Sequence, residues 1–121
     1  MISNKSHPII EKYFEFIKKH VNDVISGNEL EFFEINKIAN SLNISHAHLT
    51  ETIQNSTGHH PCYYYDVEII AHAKLLLHEN EKSIAQVAKI LTYDPSNFSK
   101  FFKKFTGLTP GAYRKSLLSN R

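Results

Sequence analysis

The sequence predicts an all-α fold of about seven helices, in which two similar helical units are joined by one central helix. Apolar residues recur at helical spacing, and the alternating apolar pattern of strands never extends beyond a few residues. The 121-residue chain has only four glycines and four prolines, which leaves room for uninterrupted helices. A pattern of residues also occurs twice, about 46–49 residues apart, and this indicates an internal repeat.

Length and composition narrow the class of protein. A chain of 121 residues, 41% of them apolar, suits one domain or two very small ones and is too apolar for a disordered protein. No run approaches the ~18 apolar residues that would span a membrane, and residues 1–10 lack the apolar segment of a secretion signal. The only cysteine, Cys62, cannot form an internal disulfide. We therefore expect a cytoplasmic protein that does not associate with membranes.

Charge is distributed unevenly along the chain. Residues 1–60 hold five lysines and seven acidic residues, whereas residues 61–121 hold nine basic and five acidic residues. The net charge of +2 thus combines a weakly acidic first half with a basic second half. A polyanionic partner should contact the second half most strongly.

The first unit begins with a helix predicted over residues 8–23. Ser6 or His7 would precede it, Pro8 would occupy its first turn, and Gly27 follows its end. Apolar residues form one wide face of this helix, and lysines alternate with glutamates elsewhere. We expect this helix to support the core.

A helix-turn-helix pattern follows. A short helix is predicted over residues 34–41, a turn over residues 42–44, and a third helix from its N-cap Ser45 to about Thr57. Gly58 should end the third helix.

One long helix is predicted over residues 61–79, because no glycine or proline follows Pro61 in this stretch. Its inward side should carry Val67, Ile70, Ala71, Lys74 and Leu77. We treat residues 1–121 as one domain with three parts: a first subdomain (1–60), this linker helix (61–79) and a second subdomain (80–121).

The second subdomain has the clearest pattern, in residues 82–115. Ser83 can cap one helix, and Asp94 can cap the next, with Pro95 at its first position. That helix carries phenylalanines on one broad face and small polar or basic residues elsewhere. Gly107 can end it, and Pro110 can begin a last short helix that ends near residue 118.

The two helix-turn-helix units share several residue pairs. These pairs are Ile38-Ala39 with Ile84-Ala85, Thr57-Gly58 with Thr106-Gly107, Pro61 with Pro110, and Tyr64 with Tyr113. In a helix-turn-helix the second helix enters the DNA major groove. Short polar side chains there can reach base edges, and lysines can neutralise phosphates. The sequence pattern alone is also consistent with an alternative, an ordinary amphipathic helix pair with a solvated basic face.

These motifs resemble a known family. The series IA, LNIS, TG, P and Y in the first half, followed by SIAQVA and DPSNFSKFFKKFTGLTPGAYR, is similar to the DNA-binding domain of AraC/XylS-type bacterial transcription regulators. The resemblance covers about residues 34–115. It implies an all-α fold of two helix-turn-helix subdomains on a central helix, and binding to double-stranded DNA. About 33 residues precede the first motif, so we expect either a short member or the DNA-binding part of a longer regulator.

The chain departs from the family pattern at several positions. Glu51 stands where the family usually has an arginine, and Gln54 and Asn55 where lysines are usual. Ile69 replaces a common arginine, and Thr92-Tyr93 replaces a Gly-Phe pair in a turn that is one residue shorter than usual. The second unit therefore resembles an intact DNA-binding unit, and DNA contact by the first is an open question.

The resemblance implies a set of DNA-contacting residues. In the second unit the base-facing residues would be Pro95, Ser96, Asn97 and Lys100, with Lys103, Lys104 and Arg114 on phosphates. In the first unit they would be Ser45, His46, Ala47, Thr50 and Glu51. An amide such as that of Asn97 can pair with adenine, and a carboxylate such as that of Glu51 can accept from cytosine N4.

Other classes of function find less support. No serine, histidine and aspartate set, phosphate-binding loop or Cys/His quartet has suitable spacing, so we expect no enzyme activity, no cofactor and no metal. A protein-interaction module that has lost DNA binding stays open because of Glu51, Gln54 and Asn55, and a small-molecule sensor stays open with little support. We expect a monomer on an asymmetric DNA site, with RNA polymerase as a candidate second partner.

Overall fold

Seven helices follow one another along the chain. The computed structural model describes residues 7–119, and within them there is no strand, so the prediction of an all-α fold with about seven helices is confirmed. The helices are α1 (His7–Ser26), α2 (Ile35–Ser41), α3 (His46–Thr57), α4 (Pro61–Leu77), α5 (Ile84–Ile90), α6 (Pro95–Thr106) and α7 (Pro110–Ser119). The suggested cap Ser6 lies outside the described residues. α1 continues three residues past the predicted end at Asp23.

The second unit repeats the first with a constant offset of 49 residues. Both ends of α2 and α3 recur in α5 and α6 at this offset, as do the starts of α4 and α7. The predicted pairing of Ile38-Ala39 with Ile84-Ala85 is therefore wrong. The partner of Ile38-Ala39 is Val87-Ala88, since all four residues are buried and Ala85 is exposed.

α3 and α6 have side-chain caps at equivalent positions before their first turns. The Ser45 hydroxyl accepts a hydrogen bond from the backbone N–H of His48 at 3.1 Å, and the Asp94 carboxylate accepts from the N–H groups of Ser96 and Asn97 at 3.0 and 3.3 Å. Side chains of this type satisfy donors that the first helical turn leaves unpaired. The two helices end alike, because Gly58 and Gly107 adopt φ values of 89° and 82° that favour glycine.

The two turns are equal in length and conformation. The residue after the C-cap of α2 is Asn43, with φ of 58°, and its counterpart after α5 is Thr92, with φ of 62°. Asparagine tolerates this left-handed region, whereas a β-branched residue is strained in it. The second turn therefore stores strain at Thr92.

The buried apolar residues form two clusters, and α4 contributes to both. Tyr65 and Ile69 belong to the cluster of the first unit, and Ile70, Ala73 and Leu77 belong to that of the second. The predicted inward side was therefore wrong in part. Its members Val67 and Ala71 are exposed and Lys74 is half-buried, because a helix that packs against two cores has no single inward face.

Two tyrosines attach the first unit to α4. The Tyr13 hydroxyl donates a hydrogen bond of 2.6 Å to the carbonyl of Pro61, at the start of α4. The Tyr65 hydroxyl accepts one of 2.9 Å from the N–H of Phe33, in the segment between α1 and α2. Both side chains are buried, and hydrogen bonding satisfies their polar atoms.

His20 is a buried polar residue that sequence analysis missed. Its ring stacks on Phe16 and lies 4.1 Å from the ring centroid of Phe33, and its Nε2 is buried without a hydrogen-bond partner. Burial lowers the pKa of this imidazole below its ordinary value. His20 therefore packs as a neutral ring within the core of the first unit.

Replacing Thr92 with glycine should stabilise the protein. A left-handed conformation costs an L-residue roughly 1–2 kcal/mol, and glycine loses about 0.4–1 kcal/mol of this gain through its freer unfolded chain. We expect Thr92→Gly to raise the free energy of unfolding in urea by about 1 kcal/mol. The matched substitution Asn43→Gly should change it by only a few tenths. Equal effects of the two substitutions would contradict strain at Thr92.

Candidate nucleic-acid interface

The outward face of α6 is polar and basic. Phe98 and Phe102 are fully buried in the core of the second unit, and they determine which side of α6 faces solvent. All six predicted contact residues of this helix lie exposed on the remaining surface: Pro95, Ser96, Asn97, Lys100, Lys103 and Lys104. No hydrogen bond within the described part of the chain holds the side chains of Ser96, Asn97 or Lys100, so they are available to a ligand.

The outward face of α3 has the same backbone geometry but a different chemistry. Leu49 and Ile53 are buried at the positions of Phe98 and Phe102. The exposed residues His46, Ala47, Glu51, Gln54 and Asn55 line one shallow surface depression together with Thr50.

Thr50 and Ser45 are less available than predicted. Thr50 is half-buried, and its hydroxyl oxygen is buried without a hydrogen-bond partner. The Ser45 hydroxyl already caps α3 through His48. Within the predicted set for the first unit, His46, Ala47 and Glu51 are therefore the freely exposed side chains.

The two outward helices carry opposite charge. α6 contains three lysines and no acidic residue, and two of these lysines lie in its last turn, where they also complement the helix dipole. α3 contains no lysine or arginine, and Glu51 is its only formally charged residue. Glu51 and Lys100 occupy equivalent positions in the repeat. Any attraction of α3 for phosphates is consequently much weaker than that of α6.

Arg114 has a structural role that the sequence analysis did not predict. Its Nε donates to the carbonyl of Leu77 at 2.9 Å, and one of its terminal nitrogens, Nη2, donates to the carbonyl of Glu79 at 3.0 Å. These are carbonyls at and just beyond the C-terminal end of α4, where no intrahelical N–H is available. The contact joins α7 to α4 and uses two of the five N–H donors of the guanidinium, so the remaining donors on Nη1 and Nη2 are left for the predicted phosphate contact.

A half-buried carboxylate lies close to α6. Asp66 is on α4, and burial raises the pKa of its carboxyl group to about 6, while the positive charge of Lys104 on α6 opposes that rise. Asp66 was not among the predicted site residues, because nothing in the local sequence places it near Lys104.

The described residues contain neither a metal-binding cluster nor a membrane-spanning helix. Within residues 7–119, no three His, Cys, Asp or Glu side chains lie together in a way that could hold a metal ion. In the same range, no helix is both long enough and apolar enough to cross a membrane.

Two repeated helix-turn-helix units with exposed second helices define a class of DNA-binding domain. A family model described as "Helix-turn-helix domain" matches residues 38–116. The chain belongs to this family, in its AraC-type form with two helix-turn-helix units, which is the DNA-binding domain of transcription regulators. It is a family of DNA-binding domains rather than of enzymes.

Known proteins resemble the chain in sequence and in fold. The MmsAB operon regulatory protein of Pseudomonas aeruginosa is 34% identical over 83 residues, which cover 68% of this chain and 27% of that protein. The C-terminal domain of AraT, a response regulator from Geobacillus stearothermophilus, is 26% identical with a TM-score of 0.76, covering 90% of this chain and 85% of that one. The DNA-binding domain of AdpA, solved with a target DNA, has a TM-score of 0.69 at 19% identity over 98% of this chain and 97% of that one.

The curated relatives are longer proteins. Across five of them, this chain spans between 27% and 51% of the relative's length.

Asp66 should give the protein a stability that depends on pH. The folded-state pKa of about 6 exceeds the ordinary 3.8, so the folded protein holds this proton more tightly than the unfolded chain does. The ionised carboxylate then costs stability above pH 6, and the cost disappears as pH falls below about 4. After a discount for partial exposure, we expect Asp66→Asn to raise the free energy of unfolding by about 1 kcal/mol at pH 8.

Denaturation of both proteins across pH 4–8 checks this prediction. The difference between wild type and variant should shrink toward acid pH. Titration of His20 affects both proteins alike and therefore cancels in that difference. A stabilisation that is the same at pH 4 and pH 8 would contradict the raised pKa of Asp66.

Proposed function

We propose that this chain binds double-stranded DNA sequence-specifically and directs a transcription regulator to its site. In this proposal α3 and α6 enter successive major-groove segments on one face of the duplex, about one helical turn apart. The observation that carries the proposal is the constant offset of 49 residues, which places a second exposed helix of the same geometry in each unit. Because the exposed side chains of the two helices differ, the DNA site should be asymmetric and bound by a monomer.

We propose that the two helices contribute unequally. α6 would supply base contacts through Ser96, Asn97 and Lys100 and phosphate contacts through Lys103 and Lys104, since all five side chains are exposed. α3 would contribute base contacts through His46 and Ala47, and Glu51 would repel nearby phosphates. Affinity would then come mainly from the second unit, and the first would add selectivity.

The proposal extends to the surroundings in which the domain acts. The MmsAB relative is by its name an operon regulator, and on that likeness we propose regulation of an operon in a bacterial cytoplasm. RNA polymerase is the second partner that such a regulator would contact.

A protein-interaction module is the second candidate, and the acidic, lysine-free α3 is the observation that favours it. Titrating salt against binding to random duplex DNA separates the two candidates. A DNA-binding protein shows a steep inverse dependence of affinity on salt. Absence of binding even at low salt would contradict the DNA proposal and favour the interaction module.

The lysines of α6 should make different kinds of contact with DNA. A DNA site is first selected from a random duplex library with the wild-type protein. Lys100→Ala should weaken binding to this selected site by about 1–3 kcal/mol if the side chain contacts a base, and should relax the preference at one position. Lys103→Ala or Lys104→Ala should weaken binding to all duplexes similarly and lower the salt slope by about 1 each. Fluorescence anisotropy at several salt concentrations measures both quantities. Lys89→Ala, on α5, is an exposed control outside the proposed contact set.

Glu51 should reduce affinity and favour specificity. Glu51→Arg replaces a charge that phosphates repel with one that they attract, so binding to random DNA should tighten and the preference for the selected site should fall. Glu51→Gln is the matched control, because it removes the charge and keeps the shape. Loss of binding to the selected site in both variants would instead identify Glu51 as a base-contacting residue.

A further inference from the structure

Four side chains pack against the cores of both units. They are Ile25 near the end of α1, Phe32 in the segment between α1 and α2, Tyr93 in the second turn, and Phe101 on α6. We name these four residues the strut. The substantial helix–helix contacts that connect the two units within residues 7–119 otherwise involve α4.

Three rings of the strut, those of Phe32, Tyr93 and Phe101, form a continuous line from the first unit to α6. Phe32 packs edge-to-face on Tyr65 of α4 with ring centroids 5.9 Å apart, and its centroid lies 6.1 Å from that of Tyr93. Tyr93 in turn stacks on Phe101 at 5.3 Å with an interplanar angle of 19°. Aromatic pairs at these separations are attractive beyond the area that they bury.

Tyr93 attaches this line of rings to the start of α6. Tyr93 immediately precedes Asp94, the N-cap of α6, and its backbone N–H is bonded to the carbonyl of Ala88 at 2.8 Å. Its ring is thus held at the point where α6 begins, while Phe101 lies within α6. At the other end of the line, Phe32 is positioned by its neighbour Phe33, whose backbone N–H donates a hydrogen bond of 2.9 Å to the Tyr65 hydroxyl. The strut therefore connects the first unit directly to α6 by a second route beside α4.

We propose that the strut sets the separation and relative angle of α3 and α6, and so restricts the domain to DNA sites with one spacing between half-sites. Two routes between the units prevent rotation about α4, which a single helix would permit. In this inference, which rests on the proposed DNA binding, Phe32 and Tyr93 are positioning residues that do not contact DNA. One inserted base pair shifts a half-site by ~3.4 Å and turns it by roughly 34°, so a rigid domain would lose one of its two contacts.

The first experiment measures the separation of the helices without DNA. Cysteines placed at Gln54 and Lys103, exposed and equivalent positions on α3 and α6, carry nitroxide labels in a Cys62→Ser background. Pulsed electron resonance should give a narrow distance distribution for this protein. Phe32→Ala and Tyr93→Ala should each broaden it. Phe14→Ala is the matched control, because Phe14 is partly buried against the first core alone.

The second experiment measures the consequence for DNA. The wild-type protein selects a site from a random duplex library, and footprinting assigns its two half-sites. Insertion or deletion of two base pairs between them should weaken wild-type binding by about tenfold or more. Affinity plotted against the spacing of the half-sites gives a spacing profile. Tyr93→Ala and Phe32→Ala should flatten this profile, because each variant should lose affinity at the selected spacing and change little at the other spacings. Phe14→Ala should keep the profile of the wild type.

The outcomes separate this inference from the proposed function. Failure of the wild type to bind any duplex would overturn DNA binding, and the distance measurement would still decide whether the strut sets the separation. A distribution that stays narrow in both strut variants overturns the strut. So does equal broadening in Phe14→Ala, since that result would show general loosening of the fold. A wild-type profile that is indifferent to spacing, with DNA binding intact, overturns the proposed restriction of sites.

Discussion

The burial of α4 in two separate cores is the constraint on which the rest of the structure depends. Ile69 belongs to the first core and its neighbour Ile70 to the second. Adjacent helical residues point about 100° apart, so one helix can serve two cores on different sides. Neither unit can complete its core without this helix, and the two units are therefore attached to each other through α4.

Different residues determine the backbone geometry and the surface chemistry of the two repeated units. The capping residues, the glycines after α3 and α6, and the buried positions maintain one backbone geometry in both units. The exposed positions are free of that requirement, and they carry Glu51 in one unit where the other has Lys100. Two helices with the same backbone geometry and equivalent buried positions can therefore present opposite charges to a polyanion. The fold sets where contacts are made, and surface chemistry sets their nature.

Arg114 shows how a residue typical of a binding site can also serve the fold. Arg114 follows a family-like motif and is basic, which suggested a phosphate contact. In the structure its Nε and Nη2 satisfy the carbonyls of Leu77 and Glu79 near the end of α4. The bond to Leu77 is partly buried and the bond to Glu79 is exposed, and together they hold α7 against the end of α4.

The sequence by itself determined the helices and the outward face of α6. Caps such as Ser45 and Asp94, the glycines after α3 and α6, and the phenylalanines of α6 act through neighbours within a few residues, so their effect could be predicted locally. Tertiary structure alone decided the buried sides of α4, the hydrogen bonds of Arg114 to the end of α4, the strut and the environment of Asp66. Each of these joins residues distant in sequence, and local spacing carries no information about which surfaces meet when two cores share one helix.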